Sequence, residues 1–138
     1  MYVDKIAILI KKASLQFDKI SNKALEPFGI SSSQYKILKY LLAQDDYKAR
    51  ITDLEKFLSA THPTTIGHID YLEKNGFVER INNPNDARGK LIKPTEKTFT
   101  LEKQLNEVGN TIEEELSKNL NKKEREEMVI LLKKLLGI

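Results

Sequence analysis

The sequence predicts a mainly α, winged helix-turn-helix fold of about six helices and a β-hairpin, and three observations carry that prediction. Apolar residues recur at spacings of three and four near both ends of the chain. Helix start signals crowd its middle. After the fourth helix, two short strand-like runs flank an octet dense in turn formers. The 138 residues suit a single domain, residues 1–138.

Ile6, Ile10, Ala13, Phe17, Ile20 and Ala24 fall on one stripe of a long first helix, which Pro27 and Gly29 end. A strict 3.5-residue repeat of this kind is what a seam against another helix requires. Ser31 opens a second helix with a capping box to Gln34, and Tyr35, Leu38, Leu41 and Leu42 form its buried face. A short third helix is expected to begin at Thr52 with Glu55 as its box partner, pointing Leu54, Phe57 and Leu58 inward. The fourth starts near Pro63 and stops at Asn75-Gly76, with Ile66, Ile69 and Leu72 on its core face. Phe77–Ile81 and Lys90–Lys93 read as the two strands of the wing. Thr95 can cap a fifth helix, along which Leu101, Leu105, Val108 and Ile112 continue the three-and-four spacing. Asn121 and Glu124 box the last helix, striped by Met128, Leu131, Leu132, Leu135 and Leu136.

Composition excludes several functions. No cysteine is present, which removes disulfides, thiolate zinc sites, cysteine nucleophiles and thiol redox sensing. The longest apolar runs, Ile6–Ile10 and Met128–Leu132, hold five residues against the ~20 that span a bilayer. With no secretory signal visible either, a soluble, cytoplasmic protein is expected. His62 and His68 are the only histidines, six apart, about 240° around a helix, and cannot chelate as an i, i+4 pair does. Glu113-Glu114-Glu115 reads as a solvated face. No nucleophile motif, phosphate loop or converging polar constellation appears, so the expectation is no enzyme, no cofactor and no metal. Net charge is only +3, yet Arg80 to Lys93 holds four basic residues against Asp86 alone, a local +3 that can mark a polyanion contact.

The octet Asn82-Asn83-Pro84-Asn85-Asp86-Ala87-Arg88-Gly89, with Lys90-Leu91-Ile92-Lys93-Pro94-Thr95 after it, resembles the wing of the MarR family of transcriptional regulators. That family's wing signature reads Asp-x-Arg, three residues, an aliphatic, one residue, Leu-Thr, two residues, Gly. Asp86, Arg88, Ile92 and Thr95 match it, while Pro94 replaces the Leu and Thr98 the Gly. Leu72-Glu73-Lys74-Asn75-Gly76-Phe77-Val78-Glu79-Arg80 is similar to the family's junction of recognition helix and wing. Pro94 cannot donate a backbone hydrogen bond, so the second strand is expected to end there.

The resemblance implies a sequence-specific, double-stranded DNA-binding regulator, a repressor relieved by a small phenolic or otherwise amphipathic effector. Residues 31–95 would form the DNA-binding lobe, and residues 1–30 and 96–138 the dimerisation helices of a homodimer on a pseudo-palindromic operator. Thr64, Thr65 and His68 are candidates for base or phosphate contact, with Tyr71 on the same face. Gly67 lets backbone approach the groove or merely packs. Arg88 would enter the minor groove at the wing tip, unless it simply pairs with Asp86. Asp86 would then structure the wing, with Arg80, Lys90 and Lys93 as phosphate contacts. Phe17, Phe28, Tyr35 and Tyr40 either line an effector crevice or pack in the core. The alternative function is a winged-helix module that binds another protein through its basic wing. It predicts little salt-dependent DNA binding.

Overall fold

Helix starts are decided locally, and most lie where their capping chemistry puts them. In the computed structural model, which describes residues 1–138, α1 spans Ile6–Leu25 and ends in a tight turn over Glu26–Phe28. α2 (Ser32–Ala43) carries the expected box: Ser31 Oγ accepts from the Gln34 amide at 3.2 Å, and Gln34 Oε1 accepts from the Ser31 N–H at 2.9 Å. α3 (Ile51–Leu58) begins one residue before the expected Thr52 start, and its box partner is Asp53, not Glu55. Asp53 accepts from the Arg50 backbone at 3.0 Å and from its guanidinium at 2.9 Å, and that hydrogen bonding lowers the carboxyl's pKa. Glu55 is instead engaged by His62. α4 (His62–Lys74) is capped by Thr61, with Pro63 in its first turn.

The wing is longer than its apolar runs suggest. β2 (Val78–Asn83) and β3 (Asp86–Pro94) pair antiparallel with Arg80 opposite Ile92, and a two-residue β1 (Ala49–Arg50) joins the other edge of β3. β3 ends at Pro94 as expected; β1 reaches only Leu91 and Ile92, so no neighbour needs the missing donor.

α5 (Glu96–Leu116) starts after Thr95, but Thr95 does not cap it with its side chain: the hydroxyl donates to the Gly76 carbonyl at 2.5 Å. Thr98, standing where the wing signature has Gly, is buried and donates to the Phe77 carbonyl at 2.6 Å. Lys97 reaches the Asn75 carbonyl at 3.0 Å and lies 4.1 Å over the Phe77 ring. Three side chains within about one helical turn, Thr95, Lys97 and Thr98, therefore stitch the start of α5 to the end of α4. Gly76, with φ +79°, makes the reversal that this requires.

The core is one cluster: Leu25, Ile37, Leu38 and Leu41 meet Leu54, Ile69 and Leu72 from the helix-turn-helix, with Ile92 and Leu105 closing it. Phe57 departs from expectation: half its surface is exposed, and its ring rests 4.8 Å from Tyr40. Phe17, Phe28, Tyr35 and Tyr40 are half-buried against the core. The α5 stripe also departs, because Leu105, Val108 and Ile112 are buried within the chain, against α1 and α2, and need no second copy. The unpartnered apolar surface lies elsewhere. Ile6, Leu9 and Ile10 of α1 are exposed, and α6 (Lys122–Leu136) has no buried residue, leaving Ile130, Leu131 and Leu136 about two-thirds exposed. No helix is long and apolar enough to cross a membrane.

Candidate nucleic-acid interface

α4 turns Thr65, Ile69 and Leu72 into the core and leaves Thr64, Gly67 and Asp70 outside. Thr64 is exposed, and its hydroxyl accepts from Thr61 at 3.0 Å, which leaves its own proton free for a ligand. Thr65, expected at the contact face, is fully buried, and its hydroxyl donates back to the Thr61 carbonyl at 2.9 Å. One residue along a helix is about 100° of rotation, enough to move a neighbour from surface to core. Thr65 therefore leaves the interface.

Gly67 has open space around it: a Cβ built there would meet nothing within 4 Å. It is not a packing glycine. A mid-helix glycine costs roughly 0.5–1 kcal/mol relative to alanine, and nothing inside the chain offsets that cost. Gly67→Ala is expected to raise the unfolding midpoint by a few degrees while weakening duplex binding. Parallel melting and binding curves check this, and a stabilised variant with unchanged affinity would remove Gly67 from the contact surface.

His68 is half-buried, with its Nδ1 3.3 Å from the Gln34 amide nitrogen. Tyr71, also expected on the contact face, has its hydroxyl donated to the Gly29 carbonyl. The side chain braces the turn between α1 and α2, and its polar tip is not available to DNA.

Arg80 is a strut. Its guanidinium holds Asp70 at 2.7 Å and Glu73 at 2.5 Å, joining the outer face of α4 to β2. Partial burial works against the charged form, but the two carboxylates outweigh it and raise the guanidinium pKa. With both carboxylates bound, it has little charge left for phosphate. Lys93 likewise pairs with Glu79 opposite it at 3.1 Å, and Lys90 donates to Asn82 at 2.5 Å. Arg80 and Lys93 are thus neutralised by carboxylates, while the uncharged amide oxygen of Asn82 fixes Lys90 without cancelling its charge.

Arg88 is freer still than Lys90: its guanidinium makes no ion pair or hydrogen bond within the chain. It does not pair with Asp86. The Asp86 carboxylate instead accepts from the Arg88 backbone N–H at 3.0 Å and sits 3.3 Å from where a Cβ would stand on Gly89. Asp86 thus holds the wing turn, together with Asn83, whose Oδ1 accepts from the Asn85 amide at 3.0 Å. The free arginine stands on a braced hairpin tip.

Arg50 joins this surface, because β1 pairing with β3 sets Arg50 and Thr52 along a groove shared with Asn83, Asp86 and Arg88. Two residues of strand leave no periodicity, so nothing local signals that placement. No group of three or more His, Asp or Glu side chains gathers where it could hold a metal ion. The surface offers a short polar helix face with one bare position, and a rigid hairpin on which Arg88 and Lys90 make no ion pair.

A family model described as "MarR family" matches residues 30–90. The "Multiple antibiotic resistance protein MarR" of Escherichia coli (strain K12) is 35% identical over 131 residues, 93% of this chain and 88% of that protein. A crystal structure of a MarR variant from E. coli complexed with operator DNA superposes with a TM-score of 0.86 at 32% identity, covering 98% of this chain and 96% of that one. An S. aureus MepR–DNA complex gives a TM-score of 0.84 at 26% identity, covering 96% and 97%.

Proposed function

The chain belongs to the MarR family, and from that membership we propose that it represses transcription as a homodimer on a pseudo-palindromic operator in the cytoplasm, until a small molecule releases it. It is a DNA-binding transcriptional regulator. The observation that carries the reading is Arg88, a cation with no partner in its own chain, held on the braced wing where it shares a groove with Arg50 and Thr52 of the helix-turn-helix. A wing that had evolved against acidic protein side chains would have no use for a bare helix face at groove-reading position. The lobe of residues 31–95 reads DNA, and the flanking helices set the distance between two lobes. No step of this reading is catalytic. Selection of bound sites from random duplex, followed by binding against salt, tests it. A two-fold symmetric site with half-sites about 10 bp apart is expected, with affinity that falls steeply as salt rises. Salt-insensitive binding with no selected site would favour the protein-binding alternative.

A place for an effector is supported by a groove of about 610 Å³ between α1 and α5, lined by Gln16, Lys19, Lys23, Thr111 and Glu115. Its two lysines suit an anionic group such as a carboxylate. Phe17, Phe28, Tyr35 and Tyr40 do not line it. A ligand moves an equilibrium only by its difference in affinity for the two states. Salicylate and related phenolic acids are therefore expected to release operator, and Lys19→Ala with Lys23→Ala to raise the concentration needed about tenfold. Operator titrations with a broad phenolic panel check this; no release up to millimolar concentration would point to control without such a ligand.

A further inference from the structure

Gln34 connects the start of α2 to the middle of α4 through hydrogen bonds whose direction is set at one end. The Ser31 backbone N–H can only donate, so the Gln34 atom 2.9 Å from it is the carbonyl oxygen Oε1. The amide nitrogen is left for the other neighbour, His68 Nδ1, at 3.3 Å. An amide NH2 has no lone pair to offer, so Nδ1 is the acceptor and carries no proton. A neutral imidazole has one N–H, which must then be on Nε2. Nε2 has no partner in the chain, yet the only buried side-chain polar atom lacking one is Ser21 Oγ, so Nε2 reaches solvent. Gln34 is 8% exposed, which limits water's ability to exchange its bonds.

We propose that Gln34, while capping α2, also sets the tautomer of His68, so that α4 presents an N–H donor to the major groove and selects a base carrying an acceptor. The outward half of this rests on the DNA-binding reading of α4. Purines offer N7, guanine adds O6 and thymine offers O4, whereas cytosine offers only its amino donor. One position in each half-site is thus read as "not cytosine". Gln34 is a positioning residue; His68 makes the contact.

Gln34→Glu provides the test, because glutamate is equally suited to the box with Ser31 and keeps the helix start. Its second carboxylate oxygen can only accept, so Nδ1 must take up a proton. Imidazole nitrogen-15 shifts, recorded near pH 8, above the ordinary histidine value of about 6.5, separate protonated from unprotonated ring nitrogens. His68→Gln assigns the signals by their loss. Wild type is expected to show Nδ1 bare and Nε2 protonated, and Gln34→Glu a protonated Nδ1. In site selection, wild type should exclude cytosine at one position per half-site, where it costs about tenfold, and His68→Ala should tolerate it there. A protonated Nδ1 in wild type, or a Gln34→Glu protein with Nδ1 still bare, would overturn the tautomer control. Intact operator selection with cytosine accepted everywhere would overturn the outward donor. Loss of all DNA selectivity in wild type would overturn the DNA reading itself, with the nitrogen shifts still deciding the tautomer. Should Gln34→Glu fail to fold, a protonated Nδ1 in wild type still overturns the tautomer control.

Discussion

Arg88→Ala should weaken binding to operator and to unrelated duplex together, by roughly 10- to 100-fold for the two wings of a dimer, a loss of about 1.4–2.8 kcal/mol. The loss is shared because a cation in a narrow minor groove responds mainly to phosphate potential, with only a preference for A·T-rich tracts. The salt slope should flatten by about one unit per wing, since each arginine releases about one counterion. Stability should not change: the guanidinium holds nothing in its own chain, and Asp86 grips the Arg88 backbone, which alanine keeps. Thr64→Ala serves as the contrast. It should narrow the gap between operator and random DNA by about 1–3 kcal/mol while leaving the slope nearly unchanged. Titrations of both variants on both duplexes across a salt series give all of these quantities. An Arg88→Ala protein with intact affinities and slope would show that the wing tip does not meet DNA.

Leu131→Glu combined with Leu135→Glu should convert the protein to a monomer and lower operator affinity by two to three orders of magnitude. Wild type is expected to sediment at about 32 kDa, twice the 15.9 kDa of one chain. α6 buries no residue in its own chain, and Leu131 and Leu135 are 64% and 52% exposed. Fully burying one leucine is worth about 1.5–3 kcal/mol, so a two-fold interface that repeats each residue loses several kcal/mol when carboxylates replace them. The effect on DNA follows from linkage: two joined lobes bind with an avidity of about 10²–10⁴ over one. The lobe's own core, Ile37, Leu38, Leu54, Ile69 and Leu72, lies away from α6, so the monomer should stay folded. Sedimentation and operator binding measured on the same samples check the link. A wild-type chain that sediments as a monomer would remove the two-fold site along with the interface.

The wing illustrates how much of the interface local chemistry discloses. Asn83 and Asp86 turn the chain by accepting from backbone only two residues away, so their role is visible in the order of residues. The same holds for Ser31 with Gln34 and Asn121 with Glu124, where the box closes within one helical turn. Arg80 and Arg88 look alike as letters in one basic run. They differ because Asp70 and Glu73, ten and seven residues earlier, come back beside β2 and capture only the first. Thr64 and Thr65 are likewise adjacent and identical, separated in role by the rotation of α4 against the core.

Sequence by itself determined the fold class, the order of the helices, the wing turn and the stop at Gly76. These depend on spacing, capping and φ preference, which act over a few residues. Tertiary structure alone decided that α5 fills the core while α6 stands exposed, that Thr98 ties α5 to Phe77, that β1 brings Arg50 to the wing, and that Gln34 meets His68. Each of these is a contact between residues more than twenty apart in the chain, or the absence of one. A helix stripe states only that an apolar face needs a partner, and both α5 and α6 carry such a stripe. Which partner each receives depends on how all the elements pack at once, and that information is not held in any single segment.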